Sequence, residues 1–516
     1  MLHSLVWFIP LLPLLAAAWI GLCMIFGWHT GDRGERMVAR SASLPMLAAL
    51  LLLLLLDVEG LSGSTPGQQV FGTWLASGDY RILISFTLDA LSLSLATLIA
   101  LISLVTLRFS VNYMHREVGF QRFFMLLSLF CSAMLLLVLA GNSVLTFVGW
   151  EVAGVCSYLL IGYAYDRPRA ILNATRVFVT NRIGDAGFIL GISLSFLWVG
   201  SVEWPQLALY SVEIAPLYKG LIGMGFLIAA LVKSAQLPFS PWISHALEGP
   251  TPSSALFYGS LMVHAGVYLT IRLEPLLIQL QPLLILLGLL GLLTALYGWL
   301  VGLVQSDIKS ALIFSTIAQV GLMFLECASG WFDLAAWHLV LHAIWRSYQF
   351  LHAPALLQLV DGPGRRTPAW LRSRSRVYGA ATQRFWLDSI ADWLLLLPTR
   401  SLAQDLQDFD QRVVTRMVGL PDQAGHLNSL ARWEARRQGQ GVDREVGRGR
   451  GMAGRLLAWL ATLLYWFEEH LVLQGAGEGL RQTLDLIGGY LKQAEDLLSE
   501  PRYLLLLIML TFVVIV

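Results

Sequence analysis

The chain has 516 residues, of which 56% are hydrophobic and 13% are charged, and its formal net charge is +1. Soluble domains carry about 25% charged residues, so the composition excludes a soluble domain of ordinary make-up. A net charge near zero gives no reason to expect nucleic acid binding. The cysteines form no CxxC pair, which excludes a zinc ribbon or an iron–sulfur ligand set; they are Cys23, Cys131, Cys156 and Cys327. The sequence therefore predicts neither a metal site nor a cofactor.

Twelve apolar segments predict an all-α, polytopic membrane bundle. The first is long enough to span a bilayer, and no basic region precedes it, so it differs from a cleaved signal peptide. The last is short for a span. The predicted spans are 5–27, 41–58, 84–107, 121–140, 143–163, 176–199, 217–237, 253–271, 280–304, 310–328, 333–356 and 502–516.

Basic residues follow the first, third, fifth, ninth and eleventh predicted spans, and the alternate loops carry few of them. Cytoplasmic loops are enriched in Lys and Arg. This pattern predicts a bacterial inner-membrane protein with a periplasmic N-terminus and a cytoplasmic segment at 361–500. The residues that carry the pattern are Arg33, Arg36, Arg40, Arg116, Arg122, Arg167, Arg169, Lys309, Arg365 and Arg366.

Changes of composition divide the chain into four regions. Residues 1–80 hold the first spans and an outer loop, and residues 81–360 form the core. Residues 361–500 are richer in charged and polar residues, with candidate surface helices at 452–474 and 477–499. Residues 501–516 supply the last predicted span.

Titratable residues in the middle of apolar spans are the main functional signal. Ionisable groups in the hydrocarbon are costly and usually functional. Groups such as Glu, Lys and His can relay protons when burial and neighbours draw their proton affinities together. The residues that meet this description are Glu151, Lys233, His264, His338 and His342. They predict a proton-conducting path.

Proline residues after Lys233 predict a broken helix. Pro238 and Pro241 remove backbone donors and interrupt the helix. Broken helices at membrane depth are tolerated where they line a polar cavity. Lys233 is therefore expected where water and free carbonyl groups can reach it.

Structural roles remain open for the same residues. Glu151 could form an ion pair that joins helices, either with an Arg or with Lys233, and Arg182 with Asp185 has the i, i+3 spacing of an ion pair. His264 could be a hydrogen-bonded core histidine. His338 and His342 could bind a metal, although no third ligand is evident. Asp307 and Lys309 lie at a span boundary, which favours an interfacial role.

Several long motifs resemble the antiporter-like subunits of respiratory complex I, especially the L type. The resemblance covers about residues 80–355 in order and implies a bundle of inverted repeats with broken helices. The motifs are Phe86-Thr-Leu-Asp-Ala-Leu-Ser-Leu, Gly149-Trp-Glu-Val-Ala-Gly-Val-Cys-Ser-Tyr-Leu-Leu-Ile-Gly-Tyr, Asn181-Arg-Ile-Gly-Asp, Lys233-Ser-Ala-Gln-Leu-Pro, Gly249-Pro-Thr-Pro-Ser-Ser-Ala-Leu and Val304-Gln-Ser-Asp-Ile-Lys-Ser.

The resemblance implies that Glu151 and Lys233 are the family's paired Glu and proton-carrying Lys. It implies that His338 and His342 are the central histidines of the later helix. The chain also departs from the family. Tyr258 stands where a His is common, and Arg346 stands where a Lys is common. Arg stays protonated, so Arg346 is expected to tune the path rather than relay protons.

The second half of the family pattern is cut short. No second broken helix and no second buried Lys follow His352, yet Phe385-Trp-Leu-Asp-Ser-Ile-Ala-Asp-Trp resembles the start of the L-type tail. The second repeat therefore looks truncated by an internal loss, and the family's usual exit half-channel is expected to be missing.

A shortened L-like chain resembles DabB, the membrane partner of DabA in two-component inorganic carbon accumulators. This resemblance implies a large cytoplasmic DabA-like zinc protein as the partner. The alternatives are a subunit of complex I or of a membrane-bound hydrogenase, among other membrane subunits, and a non-conducting scaffold. The chain has no phosphate loop and no nucleophile with a placed base, so no catalytic site of its own is predicted. The titratable residues favour H⁺ over Na⁺.

Overall fold

A computed structural model describes residues 2–29, 31–61, 67–77, 80–210, 212–359, 367–410, 459–460 and 462–464. These residues divide between two compact units, Met1–Ala391 and Asp392–Val516. The last predicted span and most of the two predicted surface helices lie outside the described residues.

The first unit is a bundle of long helices, as the apolar segments predict. Ten helices among the described residues are long and apolar enough to cross a membrane. Nine of them are α1 (Phe8–Ile25), α2 (Gly31–Leu61), α3 (Ala90–Tyr113), α4 (Phe120–Leu139), α5 (Ser143–Ile161), α6 (Pro168–Val199), α8 (Pro216–Lys233), α13 (Gln281–Gly302) and α14 (Ile308–Ala328).

The tenth is an interrupted helix over Thr251–Arg272. It begins as α10 (Thr251–Ser254), continues as a π-helix over Ala255–Ser260 and a 3₁₀ turn over Met262–His264, and ends as α11 (Ala265–Arg272). Its residues are buried up to Ile271. The predicted span 253–271 is therefore a second interrupted helix beside the break at Lys233.

Shorter helices and one further long helix complete the described chain. The helix that corresponds to the eleventh predicted span is α15 (Phe332–Leu359), which carries His338, His342 and Arg346. The short helices are α7 (Trp204–Tyr210), α9 (Pro241–His245), α12 (Glu274–Leu277), α16 (Ala369–Arg372), α17 (Ser375–Thr382) and α18 (Leu387–Ala391). In the second unit, α19 (Leu397–Phe409) follows a π-helical turn.

A β-hairpin interrupts the helical pattern and was not predicted. Strands β1 (Gly67–Ser77) and β2 (Tyr80–Leu88) pair antiparallel, and α3 begins only at Ala90. The predicted third span began at 84 because the apolar end of β2 continues into the apolar start of α3. Pairing satisfies the backbone of this segment without a helix.

The buried carboxylate of Glu203 fastens this hairpin to the bundle. Its oxygens accept hydrogen bonds from Ser85 Oγ at 2.7 Å and from Asn142 Nδ2 at 2.9 Å, and Gln68 donates to it as well. Burial raises the pKa of Glu203 above its ordinary value, although these hydrogen bonds act against the increase. Asn142 also caps the N-terminus of α5.

Candidate functional site

Lys233 is the last residue of α8, and a tight turn follows it at once. The amide of Gln236 donates to the carbonyl of Leu231 at 2.8 Å, and that of Ala235 donates to Val232 at 3.1 Å. These two bonds form a Schellman turn. Ala235 takes a left-handed conformation, with φ 52°, at the position where such turns usually have glycine. The predicted break after Lys233 is confirmed in the structure.

The backbone groups freed by this break are satisfied by side chains. Trp242 Nε1 donates to the carbonyl of Val232 at 2.9 Å, and Gln236 Nε2 donates to that of Ser234 at 2.9 Å. The amide of Leu237 donates to Thr294 Oγ1 at 3.0 Å. The expectation of free carbonyl groups beside Lys233 is therefore wrong for Val232 and Ser234, because their carbonyl groups already accept hydrogen bonds from nearby side chains.

The ammonium group of Lys233 instead reaches the neighbouring helix α5. Its Nζ donates to the carbonyl of Trp150 at 3.1 Å and lies 4.9 Å from the centroid of the Trp150 ring. The residue is 1% exposed. A lysine this deeply buried either keeps its charge beside a negative group or gives up its proton and becomes neutral.

Two carboxylates beside Lys233 share one arginine. Arg182 Nη1 donates to Glu151 Oε2 at 2.7 Å, and Arg182 Nη2 lies 2.8 Å from Asp185 Oδ2. Trp150 Nε1 donates to the other oxygen of Asp185 at 3.0 Å. Glu151 thus makes its ion pair with Arg182, which bridges both acids. We call Trp150, Glu151, Arg182, Asp185 and Lys233 the lysine cluster.

The charges of the lysine cluster are nearly balanced. Glu151 and Asp185 supply two negative charges and Arg182 supplies one positive charge. A protonated Lys233 makes the cluster neutral, and a neutral Lys233 leaves one negative charge. Both carboxylates act on the ammonium group, while burial opposes its charge. This balance is what reversible protonation of Lys233 requires.

His264 and His342 form a hydrogen-bonded pair in the core. His264 Nε2 and His342 Nδ1 are 3.0 Å apart. The other nitrogen of His342, Nε2, lies 3.4 Å from Arg346 Nε, and Arg346 Nη2 donates to Ser315 Oγ at 2.9 Å. Since arginine can only donate, His342 Nε2 is an acceptor and Nδ1 carries the hydrogen that faces His264. We call His264, His342, Arg346 and Ser315 the histidine cluster.

His338 lies one helical turn from His342 and has different partners. Its Nδ1 contacts Glu326 Oε1 at 2.9 Å and Oε2 at 3.1 Å, and its Nε2 lies 3.0 Å from Gln319 Oε1. The ring centroids of His338 and His342 are 6.2 Å apart. Glu326 was missed in the sequence because it lies near the end of a span, where an acidic residue is unremarkable.

The lysine and histidine clusters are adjacent through the interrupted helix. Ser234 Oγ, next to Lys233, donates to the carbonyl of Val263, next to His264, at 2.7 Å. A cavity of about 20 Å³ lies against His264, Ser260 and Tyr268. That is room for about one water molecule.

The remaining predicted tuning residues lie apart from these clusters. The buried Tyr258 packs on Trp242, with ring centroids 5.9 Å apart. Asp307 caps α14 by accepting the amide of Ser310 at 2.8 Å. Lys309 Nζ donates to Thr251 Oγ1 at 2.6 Å. Asp307 and Lys309 thus have the boundary positions that their place in the sequence suggests.

One partly buried ion pair was missed although its acid lies in a quoted motif. Arg272, at the end of α11, pairs with Asp89, the N-cap of α3. Arg272 Nη2 also donates to Ser92 Oγ at 2.6 Å. The partners are far apart in the chain, so no local pattern joins them.

A segment after α17 docks beside the break in the helix. Arg384 Nη1 donates to Ser244 Oγ at 2.8 Å and to Asp388 Oδ2 at 3.1 Å, and His245 Nε2 lies 3.6 Å from Asp388 Oδ1. Phe385 packs on Tyr297 with ring centroids 5.9 Å apart. We call residues 384–388 the strap. Burial would raise the pKa of Asp388, but His245 and Arg384 hold it below its ordinary value.

One group among the described residues has metal-ligand chemistry. Asp32, Glu35 and His115 offer ligand atoms within 4.8 Å of one another. His115 Nδ1 already contacts Glu35 Oε2 at 2.7 Å, and Arg116 donates to both carboxylates. The group is therefore an ion-pair network that joins α2 to the α3–α4 connection.

Comparison with known families fits this geometry. Residues 140–359 match the family described as NADH:quinone oxidoreductase/Mrp antiporter, TM. Residues 74–124 match the family described as NADH-ubiquinone oxidoreductase (complex I), chain 5 N-terminus. Over these residues the helical core of this chain is similar to the antiporter-like membrane subunits of complex I and Mrp. Every residue of the lysine and histidine clusters lies within the longer match of this antiporter-like core.

The matches to individual relatives include only part of each relative's length. The chain is 33% identical over 368 residues to NAD(P)H-quinone oxidoreductase subunit 5, chloroplastic, of Anthoceros angustus, which covers 70% of this chain and 50% of that protein. The corresponding protein of Ipomoea purpurea is 33% identical over 366 residues, covering 70% and 51%. The chain thus spans about half the length of these curated relatives.

Two solved structures share the fold. A chain of the Mrp complex from Dietzia sp. DQ12-45-1b superposes with a TM-score of 0.58 at 26% identity, covering 66% of this chain and 37% of that chain. A chain of the membrane-bound sulfane sulfur reductase, an archaeal respiratory membrane complex, superposes with a TM-score of 0.57 at 21% identity, covering 69% and 57%. The second likeness concerns the fold alone.

Proposed function

We propose that this chain is a proton-conducting membrane subunit that couples ion flow to a partner. The observation that carries the proposal is the burial of Lys233 at a helix break, within a cluster whose charge is balanced only when its ammonium is protonated. A group held so close to balance can take up and release a proton with small free-energy steps.

The proposed carriers are Glu151, Lys233, His264, His338 and His342. Arg346 is proposed as the fixed charge that sets the hydrogen-bond direction of the His342–His264 pair. Arg182 and Asp185 are proposed as ion-pair partners that set the charge of the lysine cluster. Each role follows from a contact described above and not from position in the sequence alone.

The structure also supports a partner on the face of α5 and α6. The side chain of Arg182 is 37% exposed and that of Glu151 is 23% exposed, and both lie within helices long enough to span a bilayer. Charged groups are rarely left facing hydrocarbon. A second subunit against this face would cover them, and the relatives named above come from multi-subunit membrane complexes.

For the identity of the complex, we propose the DabB-like role in inorganic carbon accumulation in a bacterial inner membrane. The supporting observation is internal to the sequence. Only 25 residues, 360–384, separate the end of α15 from the tail-like segment that begins at Phe385, where L-type subunits have further spans. A DabA-like zinc protein on the side of residues 361–500 is the corresponding partner.

Purification of the full chain through an affinity tag from its native membrane tests the identity of the complex. A single large zinc-containing partner is expected. Recovery of several iron–sulfur subunits would overturn the carbon-accumulation proposal and favour a complex I or hydrogenase subunit.

Two variants of the same complex test conduction. Lys233→Ala and Glu151→Gln should abolish proton flux in liposomes while the complex still assembles. Wild-type flux in both variants would leave a non-conducting scaffold as the remaining function.

A further inference from the structure

Two clefts lie one after the other between α3 and α15. The first has a volume of about 580 Å³ and is lined in part by the starts of both helices. The second has a volume of about 410 Å³ and is lined by their later parts, so the two helices run side by side in the same direction. Both volumes are in the usual range for ligand clefts, about 300–1,000 Å³. We call the first the acidic cleft and the second the apolar cleft.

The walls of the apolar cleft suit hydrocarbon chains. Leu101 and Val105 of α3 line it together with Ile344 and Leu351 of α15. Leu101 and Val105 are about half exposed, on a helix long enough to span a bilayer. Apolar side chains exposed at this depth face the acyl chains of lipids. A concave apolar surface gives an acyl chain more van der Waals contacts than a flat one, so the cleft favours a chain that stays in place.

Polar and charged groups gather toward the later ends of both helices. Tyr348 and His352 line the apolar cleft, and their rings stack with centroids 5.7 Å apart. Arg108 is exposed on α3 and precedes Phe109, which also lines the cleft. Arg108 follows Leu101 by about two helical turns, so both residues lie on the same side of α3. The cleft is therefore amphipathic along its length.

Arg108 is placed to meet a lipid phosphate. Among the described residues it has no hydrogen-bond or ion-pair partner. It lies near the end of the 24-residue helix α3, about 27 Å from its start at a rise of about 1.5 Å per residue. The hydrocarbon core of a bilayer is about 30 Å thick. The guanidinium can therefore reach the headgroup region, where it can donate two parallel hydrogen bonds to a phosphate.

The charges of the two clefts differ in sign. In the acidic cleft, Arg272 is paired with Asp89. Glu274 and Asp333 also line this cleft, so its net charge is negative. The apolar cleft instead ends beside Arg108, which is a permanent cation. An anionic headgroup is therefore attracted to the Arg108 end and repelled from the other end.

We propose that the apolar cleft binds a phospholipid of the bilayer with an anionic headgroup. The phosphate binds Arg108 at the end of the cleft where His352 lies, and the acyl chains lie along Leu101, Val105 and Ile344. Basic pockets between membrane helices recognise anionic lipids in this way. The site goes beyond the proposed function and does not depend on it, because no residue that lines the cleft belongs to the lysine or histidine cluster.

Native mass spectrometry of the purified full chain tests the headgroup preference. The chain is titrated with phosphatidylglycerol or with phosphatidylcholine that has the same acyl chains. Arg108→Gln should weaken the binding of phosphatidylglycerol about fivefold, the scale for one basic residue near anionic lipid, and leave phosphatidylcholine unaffected. Arg40→Gln is the matched control, because Arg40 is exposed on α2 and likewise has no partner among the described residues. Equal phosphatidylglycerol affinity in the two variants would overturn the proposal.

Two changes at Val105 test the place and the identity of the occupant. Val105→Trp fills the cleft from an exposed position and should weaken the binding of both lipids. This variant decides the matter if Arg108→Gln cannot be purified, and unchanged binding in it would overturn the proposal. With a photoreactive benzoylphenylalanine at position 105, irradiation of the native membrane should add the mass of a phospholipid to the chain. A covalent product with another protein would overturn the proposal and assign the cleft to a partner helix.

Discussion

Arg346 holds its guanidinium 3.4 Å from His342 Nε2, and this contact fixes the direction of the hydrogen bond between His342 and His264. A permanently charged donor on one side of an imidazole leaves only the other side free to donate. In the proposed proton path, Arg346 is thus placed to orient the histidine pair without relaying protons itself.

Replacement of Arg346 should therefore slow conduction without abolishing assembly. Arg346→Met removes the donor, so that His342 can turn its acceptor nitrogen toward His264 and the pair loses its fixed direction. We expect proton flux in liposomes to fall about tenfold, less than for loss of a carrier. Arg346→Lys retains the charge, and its proton flux should lie between those of the wild type and Arg346→Met. Unchanged flux in Arg346→Met would contradict an orienting role.

Gly266 is required where α11 meets the end of α8. A Cβ at this position would lie 2.2 Å from the carbonyl oxygen of Ala230 and 2.3 Å from Ser234 Oγ. Gly266→Ala should therefore push the two helices apart and lower the thermal stability of the purified complex by several degrees, as overpacking typically costs about 1–3 kcal/mol. Gly220→Ala, on α8 in open space, is the control and should not lower the melting temperature. Equal melting temperatures for the two variants would contradict the close approach.

Ala235 has a left-handed backbone that an L-residue adopts at a cost of about 1–2 kcal/mol. Ala235→Gly relieves this cost at the turn after Lys233. We expect a higher melting temperature for the variant complex, measured by intrinsic fluorescence. A lower melting temperature would show that the side chain of Ala235 contributes more to packing than its backbone strain costs.

The strap should loosen at acid pH. The pKa of Asp388 is below its ordinary value in the folded protein, because His245 and Arg384 stabilise its charged form. A carboxyl group whose pKa is lower in the folded than in the unfolded protein stabilises the fold at pH values above its unfolded pKa. This stabilisation is lost as the pH falls through its folded pKa. Hydrogen exchange of residues 384–391 should therefore be faster in Asp388→Asn than in the wild type at neutral pH. The difference should shrink in acid, and a difference that grows in acid would contradict this sign.

The sequence predicted those features that depend on local signals. Apolar length identified the spans, and the prolines after Lys233 identified the break, because both effects act within a few residues. That Arg182 is the arginine paired with Glu151 could not be predicted, since their helices meet only in the fold. The same holds for Glu326 with His338 and for Asp89 with Arg272.

Two structural features contradict simple reading of the apolar pattern. The apolar end of β2 looks like the start of a span, yet it pairs with β1 across the hairpin. The π-helical turn over Ala255–Ser260 and the 3₁₀ turn over Met262–His264 contain no proline that would have predicted them. Tertiary packing decides both, and the Thr251–Arg272 segment is the most completely buried of the ten long helices among the described residues.

The most direct measurement of the central claim compares two buried lysines on the same helix. Lys233 lies at the helix break in the lysine cluster, whereas Lys219 donates to Gln279 Oε1 at 2.7 Å near the other end of α8. Proton flux should be lost in liposomes containing the Lys233→Ala complex and retained in those containing Lys219→Ala. Equal flux in the two variants, with both complexes intact, would contradict a proton path through Lys233.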